Sequence, residues 1–116
     1  MTAKLLSGTE VAEAVISDVR ERVAALTSKG IQPGLGTILV GDDGPSASYV
    51  RKKHEACEHA GLRSFHLELP SSATQSEFLN AVDEFNSNDE VDGYIIQYPV
   101  PSALDFNEAL MRMNPA

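Results

Sequence analysis

The apolar positions between Ser7 and Lys29 repeat with the period of a helix. Val11, Val15, Val19, Val23 and Leu26 fall on one stripe, and Ala12 and Ile16 widen it. Ser7 and Glu10 open the stretch with a capping-box pattern, and Gly30 suits the residue just past a helix end. The stripe predicts a core-facing helix. The pattern then changes period. Residues 36–41, GTILVG, are a short β-branched run between glycines, the mark of a buried strand. Pro45 fits a first helical position, where its missing N–H costs nothing, and a second helix is predicted from Pro45 to Ala60, closing at Gly61. Residues 64–69, SFHLEL, alternate apolar and polar and predict a second strand. Thr74 and Glu77 repeat the capping box ahead of Phe78, Ala81, Val82 and Phe85, a third helix. Residues 93–97, GYIIQ, predict a third strand, and a last helix from Asp105 to Met113 stops before Asn114-Pro115.

Strands alternating with helices imply crossover connections and a mainly parallel sheet covered on both faces. The expected fold is therefore α/β, a three-layer α/β/α sandwich, with residues 1–116 forming one domain. In such sheets, ligands bind beyond the carboxyl ends of the strands. The loop after the first strand leads to Ser46, Tyr49 and Lys53, and the third strand ends at Gln97 and opens into Tyr98-Pro99-Val100-Pro101. These two stretches are expected to converge on one cleft.

Composition narrows the class. At 42% hydrophobic the chain can build a core, yet no apolar run approaches the ~20 residues of a membrane span. The N-terminus lacks the continuous apolar stretch of a signal peptide, and Cys57 is the only cysteine, so no internal disulfide is possible. Both fit a cytoplasmic protein. A net charge of −8 argues against nucleic acid as a partner. The one dense basic patch, Arg51, Lys52, Lys53 and His54, reads from charge alone as a solvated helix surface.

Spacing adds a second reading of that patch. Within SASYVRKKHEACEHAG, residues 46–61, helical geometry puts Ser46, Tyr49 and Lys53 on one face, with Lys52 turned about 100° away. A lysine desolvated in a cleft can act as a general acid or base near neutral pH. Tyr49 offers a stacking face or a hydroxyl, and Gln97 brings two donors and an acceptor to the end of an apolar strand. The plain alternative is a solvated lysine and a strand-end glutamine that satisfies backbone groups. Glycines 34, 36 and 41 suggest a phosphate loop, but neither G-x-G-x-x-G nor G-x-x-x-x-G-K-[ST] is present, and turn chemistry is the expected role. His54 and His59 point to different helix faces, so no metal is expected and Cys57 reads as core packing. Asp42 and Asp43 fit a cation site or a polar loop tip equally. His66, alternating with apolar neighbours, is expected to be half exposed, and the Pro99/Pro101 loop to be stiff, with room for one cis bond.

VGDDGPSASYVRKKHEACEHAGL (residues 40–62) and DGYIIQYPVP (residues 92–101) together resemble the bifunctional methylenetetrahydrofolate dehydrogenase/methenyltetrahydrofolate cyclohydrolase family, as does PGLGTILVGDD before them. The family pattern S-x-x-Y-V-x-x-K is met by Ser46, Tyr49, Val50 and Lys53. Its Gln-Leu-Pro-Leu-Pro pattern becomes Gln97-Tyr98-Pro99-Val100-Pro101, with Tyr98 in place of the leucine. The resemblance implies a one-carbon enzyme acting on tetrahydrofolate derivatives. NADP oxidises 5,10-methylenetetrahydrofolate to the methenyl cation, and water then opens that ring to 10-formyltetrahydrofolate. It implies Lys53, Gln97 and Tyr49 as catalytic residues: Lys53 as the acid–base group, Gln97 orienting it and contacting folate, Tyr49 stacking on the flat substrate. Ser46, Tyr98 and Pro99 join Tyr49 and Gln97 as substrate-binding residues. A neutral lysine suits a cationic intermediate, both as base and by avoiding repulsion.

The family continues past these residues into a Lys-Asp-x-Asp-Gly segment and a separate Rossmann domain. The resemblance therefore implies that NADP is bound outside this chain, which holds no cofactor site of its own and no metal, and that dehydrogenation needs the second domain. It also implies homodimers formed largely through that domain, leaving these 116 residues able to stand as a monomer. Two other classes stay open on sequence: a folate-binding or interaction module without catalysis, and a receiver-like or nucleotide-binding α/β domain, for which only Asp42-Asp43 speaks.

Overall fold

A computed structural model of the chain describes residues 2–115. All seven expected elements form, in the order α1 (Gly8–Thr27), β1 (Gly34–Val40), α2 (Gly44–Ala60), β2 (Arg63–Leu69), α3 (Gln75–Ser87), β3 (Gly93–Ile96) and α4 (Phe106–Arg112). Their boundaries follow the caps. The Ser7 and Thr74 hydroxyls accept from the N–H groups of Glu10 and Glu77, at 3.4 and 3.2 Å, satisfying donors that a helix start leaves free. Gly61 ends α2 at φ 84°, a left-handed position that glycine takes without a Cβ penalty.

The three strands pair in parallel in the order β2-β1-β3, with Gly34 opposite Arg63 and Leu35 opposite Gly93. Helix α2 packs on β1 and β2, α3 packs on the other face of β1, and α1 and α4 lie on α2 and α3 respectively. The expected three-layer α/β/α fold is thus the observed one. Chain direction then defines a crevice. After β1 the chain crosses to the α2 face, and after the neighbouring β3 it continues to α4 beside α3. Adjacent parallel strands whose connections leave on opposite faces open a cleft at their carboxyl ends.

The main core sits on the α3 side, where Ile38, Val40 and Ile96 of the sheet meet Phe78, Val82 and Phe85. Gly36 permits this contact: a Cβ there would stand 2.9 Å from the Phe85 ring. The expected turn role holds for Gly41 alone, at φ 92°. Gly34 and Gly36 belong to β1, packed under other groups.

The α1 stripe departs from expectation. Only Val23 is buried on that helix, while Val11 and Val15 are 64% and 57% exposed. The reason lies in what α1 rests on. It packs chiefly against α2, and α2 covers β1 and β2, so α1 rests on another helix rather than directly on the sheet. Ile95, on β3, is exposed as well. The radius of gyration, 16.7 Å, exceeds the ~13 Å of a compact chain of similar length.

Candidate active site

The first turn of α2 fixes the geometry of everything after it. Asp43 caps the helix, its carboxylate accepting from the Ser46 N–H at 3.0 Å, and Pro45 follows at the start. The Ser46 side chain and N–H both bond Asp43 and hold its carboxyl below the usual carboxylate range. Asp43 is therefore a helix cap. Ser46 itself is buried, at 2% exposure, beneath the helix start.

One and two turns further on, the same face carries Tyr49 and Lys53. Tyr49 stands at the rim, 54% exposed. Lys53 is half-buried, alone among Arg51, Lys52, Lys53 and His54, the other three being exposed. Its alkyl stem borders an apolar cavity of about 220 Å³ with Val15, Val19, Leu35 and Cys57 among its walls. Its Nζ leaves this surface and donates to Gln97 Oε1 at 2.5 Å, across 44 residues of sequence.

Gln97 reaches that position because the ladder runs one residue beyond β3. Its N–H donates to the Ile38 carbonyl at 2.9 Å, which aims the side chain to the α2 side of the sheet, and the residue is 9% exposed. Its amide nitrogen donates weakly to the Tyr98 carbonyl at 3.4 Å. With the oxygen given to Lys53, the glutamine's orientation is set at both ends. Tyr98 and Pro99 follow, both exposed and joined by a cis peptide bond. The Tyr98 ring meets Phe106 edge-on, with centroids 5.2 Å apart. Beside it lies an open hollow of about 560 Å³ lined also by Ser102, Leu104, Asp105 and Asn107.

Of the six residues singled out by sequence, the fold brings Lys53 and Gln97 into direct contact. Ser46 is buried at the start of α2, and Tyr49, Tyr98 and Pro99 are exposed. Among the described residues, neither Tyr49 nor Pro99 has a hydrogen bond to the pair. Three partners escaped the sequence reading. Asp43 was detectable, since an Asp three residues before Ser46 ahead of a proline is a cap signal. Phe106 was not, because its contact depends on the path of the loop from 98 to 105. Neither was Ser64, whose hydroxyl sits 2.7 Å from His54 Nδ1, while His54 Nε2 faces Glu58 at 3.0 Å. These bonds tie His54 to β2, away from the site. Cys57 is buried as expected, and burial pushes its thiol pKa up. His66 bonds the buried Thr37 hydroxyl at 2.9 Å. Among the described residues no three His, Cys, Asp or Glu side chains group as metal ligands, and no helix is long and apolar enough to cross a membrane.

A lysine oriented by a glutamine, at the carboxyl edge of a parallel sheet and one helical turn from the exposed Tyr49 ring, can hold a flat substrate and move a proton. Comparison with known proteins bears on which substrate. Residues 6–116 match the family described as tetrahydrofolate dehydrogenase/cyclohydrolase, catalytic domain. The chain belongs to this family. It is 63% identical over 115 residues to the bifunctional protein FolD of Syntrophotalea carbinolica, an alignment covering 99% of this chain and 40% of that protein. Among solved structures it is similar to the bifunctional methylenetetrahydrofolate dehydrogenase/cyclohydrolase of Campylobacter jejuni, with a TM-score of 0.92 and 33% identity over 96% of this chain and 39% of that one. The enzyme from Trypanosoma brucei, solved with NADP cofactor and an inhibitor, gives a TM-score of 0.94 and 35% identity over 99% and 40%. The chain thus spans about two-fifths of the length of these family members.

Proposed function

We propose that this chain supplies the folate site and the catalytic lysine of an NADP-dependent methylenetetrahydrofolate dehydrogenase and methenyltetrahydrofolate cyclohydrolase. The protein would oxidise 5,10-methylenetetrahydrofolate and hydrolyse the product to 10-formyltetrahydrofolate. One observation carries the reading: the hydrogen bond from Lys53 Nζ to Gln97 Oε1, which joins the two family motifs at the ligand edge of the sheet.

In the hydrolytic step, Lys53 takes a proton from water as the oxygen adds to the cationic methenyl carbon. The tetrahedral adduct then breaks its bond to N5, which takes the proton held by Lys53, while the adduct's hydroxyl proton is released to solvent and the carbon remains on N10 as formyl. Gln97 fixes the amine's position, which matters because proton transfer needs heavy atoms within about 3 Å. Its free amide hydrogen can meet an acceptor on the pterin edge. Tyr49 presents a ring face for the flat substrate. Ser46 holds the start of α2 through its bonds to Asp43, and Tyr98 and Pro99 border the slot.

For NADP, this chain's own residues do not fit. Gly34 and Gly36 are packed under other groups, a Cβ at Gly34 striking the Glu90 carbonyl and one at Gly36 the Phe85 ring, and Gly41, which is open, turns the chain at φ 92° outside any G-x-G-x-x-G pattern. We therefore assign NADP to a part of the protein beyond these residues, together with the homodimer contact. A cytoplasmic location suits a one-carbon enzyme of this kind.

The test is hydrolysis of 5,10-methenyltetrahydrofolate, followed by absorbance, for wild type and Lys53→Met. The expected result is a loss of about 10²- to 10⁴-fold in kcat with folate binding retained, the usual range for removing a positioned acid–base group. Full activity in the variant would sink the lysine reading. Folate binding without turnover in the wild type would instead mark a non-catalytic folate-binding module.

A further inference from the structure

Tyr98 stands where the family pattern carries leucine, directly after the glutamine that bonds Lys53. Its ring is 67% exposed, and its aromatic partner is Phe106, edge-on at an interplanar angle of 66°. Phe106 is a fixed post. It begins α4 and packs on the margin of the core cluster. The residue before it, Asp105, is gripped twice by Gln75 at the start of α3: its N–H donates to Gln75 Oε1 at 2.8 Å, and its carbonyl accepts from Gln75 Nε2 at 3.2 Å. Gln97 faces the α2 side of the sheet, where Lys53 reaches it, whereas α4 lies with α3 on the opposite side. The Tyr98 ring is therefore drawn away from the lysine.

We propose that Phe106 is a positioning residue that holds the Tyr98 ring back against α4 and so keeps the folate slot beside Gln97 open. This rests on the folate reading above. A tyrosine at the leucine position adds a ring on a chain end with two rotatable bonds, and released from α4 that ring sweeps the space over Gln97. An edge-on aromatic pair favours one ring position by roughly two- to tenfold. The penalty on substrate binding when the pair is lost reaches that size where the released ring mostly covers the slot.

The test uses the intact protein and measures KM and kcat for 5,10-methenyltetrahydrofolate hydrolysis in wild type, Phe106→Leu, Phe106→Tyr, Tyr98→Leu and the double variant Tyr98→Leu/Phe106→Leu. Phe106→Leu should raise KM about two- to tenfold with kcat unchanged, and Phe106→Tyr, which keeps the ring, should hold the wild-type KM. In the Tyr98→Leu background, Phe106→Leu should change KM no further. The ring-proton NMR shifts of Tyr98 without ligand should move when Phe106 is replaced by leucine, since the neighbouring ring current is lost. An unchanged KM in Phe106→Leu overturns the proposal, as does an equal KM rise with and without the Tyr98 ring, which would mark Phe106 as a structural prop of α4. Unmoved Tyr98 shifts overturn it without reference to activity. Failure of the underlying folate reading is visible separately, as Lys53→Met retaining the full hydrolytic rate.

Discussion

At the scale of single residues, Gln97 does more than its neighbours. It is buried at the end of an apolar strand and gives its oxygen to Lys53 and its amide, weakly, to the next carbonyl. Replacing it by leucine keeps the volume and removes both contacts. Misplacing a reacting group by about 1 Å can cost on the order of 10²-fold in rate, so Gln97→Leu, which releases the Lys53 amine, should lower kcat for methenyl hydrolysis roughly 10- to 100-fold. A kcat equal to wild type would show that the lysine needs no orientation. The choice of Lys53 over Lys52 was legible from sequence because helical angle alone separates them. The partnership of Tyr98 with Phe106 was not, because the seven-residue span between them is irregular and its path obeys no period.

Elements were legible where caps and periodicity agree. The starts of α1 and α3 fall where their hydroxyl caps lie, and β1 and β2 are bounded by turn residues. What joins one element to another was harder to see. Helices α3 and α4 are tied by Arg112, which grips both Asp83 oxygens at 2.7 and 2.8 Å, with Asn86 Nδ2 donating to the Arg112 carbonyl at 3.0 Å. Hydrogen bonding from Arg112 holds the Asp83 carboxyl below its usual range. A depressed carboxylate stabilises the fold above its unfolded pKa, near 3.9, and that contribution is lost as pH falls through the lower, folded value. Asp83→Asn should therefore lower the melting temperature at pH 7, and the gap from wild type should close as pH drops below about 4. A gap that persists at acid pH would assign the loss to packing. Tyr94 reports on the same corner: burial, then Asp83, pushes its phenol up, and its hydroxyl donates to Asn86 at 2.6 Å.

Over the whole molecule, burial is lopsided. The α3 side holds a closed core, while α1 shows an apolar stripe to the outside. A hydrophobic period marks a face built for burial and is silent on what will cover it, which is why the α1 reading failed where the α3 reading held. The two sides should respond differently to substitution. Phe78, fully buried, should cost about 3–5 kcal/mol when cut to alanine. Val15→Ser on α1 should stay within about 0.5 kcal/mol, as for an ordinary surface position. Urea unfolding of this chain checks both, and comparable losses at the two sites would mean that α1 is more tightly seated than its exposure indicates.

The sheet order has a temporal side. Lys53 lies on the helix after the central strand, and its partner arrives only with β3, the last strand in sequence. A chain emerging from the ribosome can fold β1, α2 and β2 and still present a lysine with nothing to orient it. The pair comes into being when residue 97 docks beside Ile38. Any small molecule that grips both ends of the pair therefore recognises chains in which β3 has docked and ignores those in which it has not. At a concentration one hundredfold above its dissociation constant it adds about 2.7 kcal/mol to their stability. The substrate of such a site doubles as an inspector of its assembly.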